Sequence, residues 1–202
     1  MNPKPESADI PDSPRQDPRL PPGQVLTSKW PVLHYGQIPK VDLDHWDFVV
    51  DGLVEPAGRW SWREFQALPR VEVRSDIHCV TRWSRYDNRW QGVSLAEIFR
   101  RAVPKPEARF AIVHAEQGYT TNLPIAELMH DDVLLADKHD GEALAPEHGW
   151  PLRLVVPRRY FWKSAKWVRR IELVAADRPG FWEQNGYHNA ADPWREERFS
   201  DW

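Results

Sequence analysis

The feature that most narrows the fold is how short the apolar runs are. From Trp30 onward they extend over a few residues at a time and are bounded by Gly, Pro or Asp, the pattern of strands punctuated by turns and short helices. Residues 45–54 alternate Trp46, Phe48 and Val50 with Asp47, Val49 and Asp51, which reads as a half-buried strand ended by Gly52. Residues 71–77, 110–115, 133–136, 152–156 and 168–174 are β-branched or apolar and read as further strands. Asp140-Gly141 reads as a tight turn. Two Ser-x-x-Glu capping boxes, Ser61 to Glu64 and Ser94 to Glu97, each open a short helix. Helices and strands neither alternate regularly nor segregate, so a mixed α+β fold is expected, with short helices laid between sheets.

Seven of the 19 prolines fall in the first 24 residues, among charges and few apolar side chains. Residues 1–24 are therefore expected to form a tail draped on a single domain spanning residues 25–202. With 27 Lys+Arg against 30 Asp+Glu the net charge is −3, which argues against bulk nucleic-acid binding. No apolar run reaches membrane-spanning length and no paired-arginine export signal opens the chain, so a cytoplasmic location without a membrane partner is expected. A single cysteine excludes an internal disulfide, an iron–sulfur cluster and a Cys-x-x-Cys-His haem attachment. Any redox centre here needs at most one thiolate. Twelve tryptophans favour a wide, lined cavity or interface.

Two constellations carry chemistry. Cys79 directly follows the run 71–77, where a strand end can project a side chain into a cavity, and His78, Arg82 and Arg85 offer nearby positive charge that would favour its thiolate. A lone cysteine is also a common buried hydrophobe, or the nucleophile of a Cys/His hydrolase. The second is the stretch from His148 to Arg170. Arg153, Arg158, Arg159, Lys163, Lys166, Arg169 and Arg170 lie in it without an acid between them. Gly149 and Pro151 shape its approach, Lys163-Ser164-Ala165-Lys166 offers cations, a hydroxyl and small side chains, and Arg153 a forked donor, together a site for a phosphorylated ligand. Tyr160, Phe161, Trp162 and Trp167 could stack on a flat heterocycle, or the whole stretch could serve a nucleic-acid or partner-binding module, or a solvated basic face.

These stretches together resemble the molybdopterin-binding domain of the sulfite oxidase family, from Trp30 to about the end of the chain. Cys79-Val80-Thr81-Arg82-Trp83-Ser84 is similar to the loop bearing the molybdenum-ligating cysteine. Gly149-Trp150-Pro151-Leu152-Arg153-Leu154-Val155-Val156-Pro157, with Lys163-Ser164-Ala165-Lys166-Trp167, resembles the cofactor-phosphate segment, and Leu33-His34-Tyr35-Gly36-Gln37-Ile38-Pro39 stands at the early pterin-contacting loop. The resemblance implies a molybdenum–molybdopterin oxidoreductase transferring an oxygen atom to or from a small-molecule substrate. Cys79 is then the metal ligand, and His34, Tyr35, His148, Arg153, Ser164, Ala165 and Lys166 contact the pterin or its phosphate. Tyr187, in a segment resembling the one that places a tyrosine beside the metal, is a second catalytic candidate. Sulfite oxidases carry an Arg where Leu33 stands and a Gly-Asn-Arg-Arg-like run after the cysteine, which counts against sulfite as substrate. The length leaves no room for their immunoglobulin-like and haem domains, so electrons are expected to pass to a separate partner.

Overall fold

The computed structural model describes residues 17–200. In chain order its strands are β1 (Val25–Leu26), β2 (Asp47–Gly52), β3 (Gly58–Ser61), β4 (Val71–His78), β5 (Trp83–Ser94), β6 (Phe110–Ala115), β7 (Thr120–Pro124), β8 (Leu134–His139), β9 (Glu142–Ala143), β10 (Arg153–Val155) and β11 (Val168–Val174). Four short α-helices join them: α1 (Trp62–Gln66), α2 (Leu95–Arg101), α3 (Ile125–Leu128) and α4 (Phe181–Gln184). The strands form two sheets. One runs β1-β5-β8-β10 with β4 also on β5 and β9 on β8; the other runs β3-β2-β11-β6-β7. Within the second sheet β11 is parallel to β2 and antiparallel to β6. The expected mixed α+β architecture is the one observed.

Local chemistry accounts for the elements. In β2, Phe48 and Val50 are wholly buried while Asp47, Val49 and Asp51 reach the surface, the alternation of a strand with one covered face. Gly52 ends it at φ +79°, and a Cβ there would stand 2.3 Å from the Leu173 carbonyl oxygen, so only glycine lets β2 lie this close to β11. Asp140 and Gly141 both have positive φ, 50° and 90°, and link β8 to β9 as a two-residue hairpin turn. Ser61 and Glu64 complete both arms of a capping box on α1. Ser94 caps α2 by accepting from the Glu97 N–H, yet the return arm is missing because Arg100 and Arg101 hold the Glu97 carboxylate. The same arginines, Arg100 foremost, pull its pKa down to about 2.

One core is shared by both sheets and three helices, with Phe48, Phe65, Ile98, Leu128, Leu135, Leu154 and Ile171 among its members. The other face of β8 and β10 packs through Leu134, Ala136 and Val155 on a second cluster containing Trp90, with Trp30, Trp83 and Phe161 against it. Strands buried on both faces read as continuous apolar runs, which is why 133–136 and 152–156 stand out in the sequence. Five strands were not expected from the sequence: the short β1, β3 and β9, and the longer β5 and β7. β5, the longest, was hidden because its buried positions include Ser84 and Asn88, and β7 because Thr121 and Asn122 face inward. Residues 17–24 of the expected tail lie against the domain, Arg19 pairing with Asp76 at 2.6 Å and Asp87 at 2.7 Å. Residues 1–16 and 201–202 fall outside the described residues. No described helix is long and apolar enough to cross a membrane.

Candidate active site

β4 and β5 meet in a tight turn that begins at Cys79. Its N–H donates to the Trp83 carbonyl at 2.9 Å, its own carbonyl accepts from the Arg82 N–H at 3.0 Å, and Arg82 takes φ +73° to close the turn. The thiol is only 8% exposed, lies 3.1 Å from the Thr81 hydroxyl, and forms part of the wall of a cavity of about 320 Å³. That volume falls in the range of small-molecule and cofactor sites. Burial raises the thiol pKa, and the cations opposing the rise are Arg198 and Lys166. The three expected from the sequence are turned elsewhere. His78 bonds Ser84 at 2.8 Å and packs on Trp194, and burial holds it neutral with a pKa of about 4; Arg85 bonds Asn88, His139 and Asp140. Arg82 lies beside Gly23 with Glu196.

The basic stretch divides on folding. Arg158 pairs with Asp132, Arg159 with Glu127 and Asp192, Arg169 with Asp47 and Glu116, and Arg170 with Asp51 and Glu172. Lys163, expected to offer its charge to a ligand, is wholly buried and spent internally: its ammonium lies 2.6 Å from Glu183 and bonds Asn122. Arg153 and Lys166 are the two cations of the stretch that meet no acidic side chain among the described residues, and both line the cavity. Arg153 is fully buried, donating to the carbonyls of His148 at 2.8 Å and Ser164 at 3.0 Å, over Phe161 at 4.2 Å, with Nε unpartnered. Burial lowers its pKa to about 9. Lys166 donates to the carbonyls of Leu33 at 2.7 Å and Glu147 at 2.6 Å; burial, then Arg153, lowers its pKa to about 7. Gly149, at φ +114°, lets the chain lie against both: a Cβ would meet Arg153 Cβ at 3.1 Å and Lys166 Cβ at 3.2 Å.

Ser164 and Ala165 also line the cavity; the Ser164 hydroxyl oxygen accepts from the Val156 N–H at 2.9 Å, which leaves its proton free to donate. His34 and Tyr35 stand at the mouth on an exposed loop, His34 against Trp167 and Tyr35 against Phe181. Lys166 holds that loop at Leu33, and the Gln117 side chain holds both backbone groups of Gln37. Tyr187 also lines the cavity, stacked on Trp182 at 4.9 Å, and its hydroxyl makes no hydrogen bond among the described residues. His148 alone of the expected residues does not line the cavity. Its ring stacks at 3.7 Å on Trp30, which does, so it stands one layer behind the wall, kept neutral by burial with a pKa of about 4. Two further lining residues carry no local signal in the sequence: Trp30, and Tyr119, whose hydroxyl donates to the Trp162 carbonyl at 2.7 Å.

Residues 35–182 match the family described as the oxidoreductase molybdopterin-binding domain. The chain is 50% identical over 186 residues to an uncharacterized oxidoreductase, YuiH, of Bacillus subtilis, covering 92% of this chain and 94% of that one. It is 29% identical over 169 residues to the protein-methionine-sulfoxide reductase catalytic subunit MsrP of Ralstonia nicotianae, covering 73% of this chain and 51% of that one. The sulfane dehydrogenase SoxCD of Paracoccus pantotrophus has the same fold, with a TM-score of 0.67 at 23% identity over 76% of this chain and 43% of that one. The residues in hand fit the cofactor these likenesses imply. One soft donor, two buried cations lacking an acid, an unpartnered guanidinium nitrogen and aromatic walls suit a metal carried by a flat, phosphorylated ligand. The chain belongs to the oxidoreductase molybdopterin-binding domain family and is a molybdenum-dependent oxidoreductase.

Proposed function

We propose that the protein transfers an oxygen atom to or from a small substrate at this cavity, with electrons exchanged with a separate protein. The observation that carries the reading is the meeting, in one cavity, of the chain's only thiol, the two acid-free cations and the unbonded Tyr187 hydroxyl. When bound, the molybdenum cofactor supplies a metal that changes by two electrons as the oxygen atom moves. Cys79 holds that metal as a thiolate. Arg153, Lys166 and the Ser164 hydroxyl bind the anionic tail, Ala165 allows close approach of the backbone, and His34, Tyr35 and, through Trp30, His148 flank the ring system. Aromatic walls exclude water and so strengthen each of these contacts. The Tyr187 hydroxyl donates a hydrogen bond in the cavity and would relay a proton by taking one up as it passes its own on, so that it stays a neutral phenol; burial, by raising its pKa further from neutrality, favours that form.

Relatives named as protein-methionine-sulfoxide reductase subunits support sulfoxides as the first substrates to test, and the word subunit supports a separate electron donor. Pairing of the other basic side chains with acids removes the broad cationic face that a polymeric nucleic acid needs. Cys79 Sγ is bonded to Thr81 and to no histidine, which disfavours a Cys/His hydrolase. The deciding assay uses cofactor-loaded protein with a reduced dye and a panel of sulfoxides and N-oxides. Turnover that vanishes in Cys79→Ser is expected; turnover that survives in that variant overturns the reading. Tyr187→Phe is expected to keep its molybdenum and slow turnover by roughly 10²–10⁴, and wild-type rates at every pH would reduce the ring to packing.

A further inference from the structure

The turn that presents Cys79 is held from behind by residues outside it. Arg198 lies near the C-terminal end of the chain, is 4% exposed, and donates to the Val80 carbonyl at 2.8 Å and the Pro22 carbonyl at 3.2 Å. Gln24, also buried, donates from its side chain to the Cys79 carbonyl at 3.0 Å. Val25 then donates to the Arg82 carbonyl at 2.9 Å, so three of the four carbonyls of residues 79–82 are claimed by the two ends of the described chain. Arg198 also sits 4.8 Å above the ring of Tyr160, which stacks on Trp162, which meets Tyr187 edge-on at 4.9 Å. Among the described residues its one acidic partner is Glu196, 3.6 Å away and half exposed. A buried guanidinium spent on backbone carbonyls rather than on an acid fixes geometry more than it adds stability. The matched family segment ends at residue 182, so this clasp lies outside it.

We infer that Arg198, with Gln24, is a positioning residue that fixes the backbone of the Cys79 turn and thereby the direction of its thiol toward the cavity. The inference rests on Cys79 as the metal ligand. A thiolate that is free to swing offers the metal a range of angles, whereas one on a pinned turn offers a single angle. Arg198 therefore acts through Cys79 and does not itself reach the reacting atoms.

The test compares wild type, Cys79→Ser, Arg198→Met, Arg198→Lys and Gln24→Ala as full-length proteins. Amide exchange across residues 79–83 is measured without cofactor, and the visible thiolate-to-metal band after loading. Arg198→Met is expected to speed exchange in the turn about tenfold or more while leaving β2 and β11 unchanged, and to shift or broaden the band per bound metal. Arg198→Lys, which keeps one donor, is expected to restore part of the band. If Arg198→Met fails to fold, Arg198→Lys and Gln24→Ala carry the decision through smaller shifts of the same two signals. Unchanged turn exchange with an unshifted band in the folded variants overturns the positioning role. Loss of the band in Cys79→Ser alone would leave the ligand reading intact while doing so, and a band that persists in Cys79→Ser overturns the ligand reading itself.

Discussion

Lys163 and Lys166 stand three residues apart in the same basic stretch, and folding gives them opposite fates. Lys163 is sealed in the interior against Glu183, an acid supplied by α4, and serves only the fold. Lys166 meets backbone carbonyls alone, so its ammonium has no acid to neutralise it and is left for the cavity, as the Arg153 guanidinium is. What separates a structural cation from a ligand-binding one here is the acid that long-range packing does or does not bring to it. Neighbouring residue types do not distinguish them.

That contrast can be broken most sharply at Lys163. Lys163→Ala strands a buried carboxylate and is expected to cost about 3–5 kcal/mol of stability in chemical denaturation; a loss under about 1 kcal/mol would mean that the pair contributes little. Arg153→Met should do the reverse. It removes a buried charge without an acid, so cofactor-free stability should move by less than about 2 kcal/mol while pterin content falls roughly tenfold or more. Full pterin content in that variant would refute the anion-binding role.

The pH dependence of Lys166 sharpens the comparison further. Its pKa is about 7 when folded against an ordinary 10.5. Between those values the unfolded chain binds the extra proton, so cofactor-free stability contributed by this residue is lowest below pH 7 and rises as pH climbs toward 10.5, by at most about 1.4 kcal/mol per pH unit. Subtracting the Lys166→Met curve from the wild-type curve should isolate that rise, and loading the anionic cofactor should flatten it by restoring the proton. Parallel curves would show that the charge is not strained. The smallest effect is expected at Arg158, paired at 3.5 Å with Asp132 and half exposed: Arg158→Ala should change stability by less than about 0.5 kcal/mol and leave pterin content alone.

Legibility followed the range of the interactions. The Asp140-Gly141 turn and the Ser61 capping box are set by residues two or three apart and could be read directly. The second box was only half right because Arg100 and Arg101 compete for Glu97. β5 escaped because its inward positions are hydrogen-bonded polar side chains, Asn88 to Ser75 and Arg85 and Ser84 to His78, and an apolar pattern cannot announce those. In the site, Cys79, Arg153 and Lys166 sat in motifs, whereas Trp30, Tyr119 and Arg198 join the cavity or its support from distant segments with no local signature. The thiol's electrostatic neighbours were misassigned for the same reason: those adjacent in sequence point away, and those in space come from residues 166 and 198.

The place of β11 in its sheet bears on how the protein is made. It separates β2 from β6, so without it that sheet falls into two hairpins, β3-β2 and β6-β7, neither of which is large enough to persist alone in water. Ribosomes deliver the chain from its N-terminus, and β11 is the last strand to emerge. The residues just ahead of it, Ser164 to Trp167, line the cavity. Closing the sheet and bringing in this part of the cavity wall therefore come together late in synthesis, and Trp182, Tyr187 and the Arg198 that braces the cysteine turn follow later still, so the pocket that receives a cofactor is finished only when the last segment of the chain has docked.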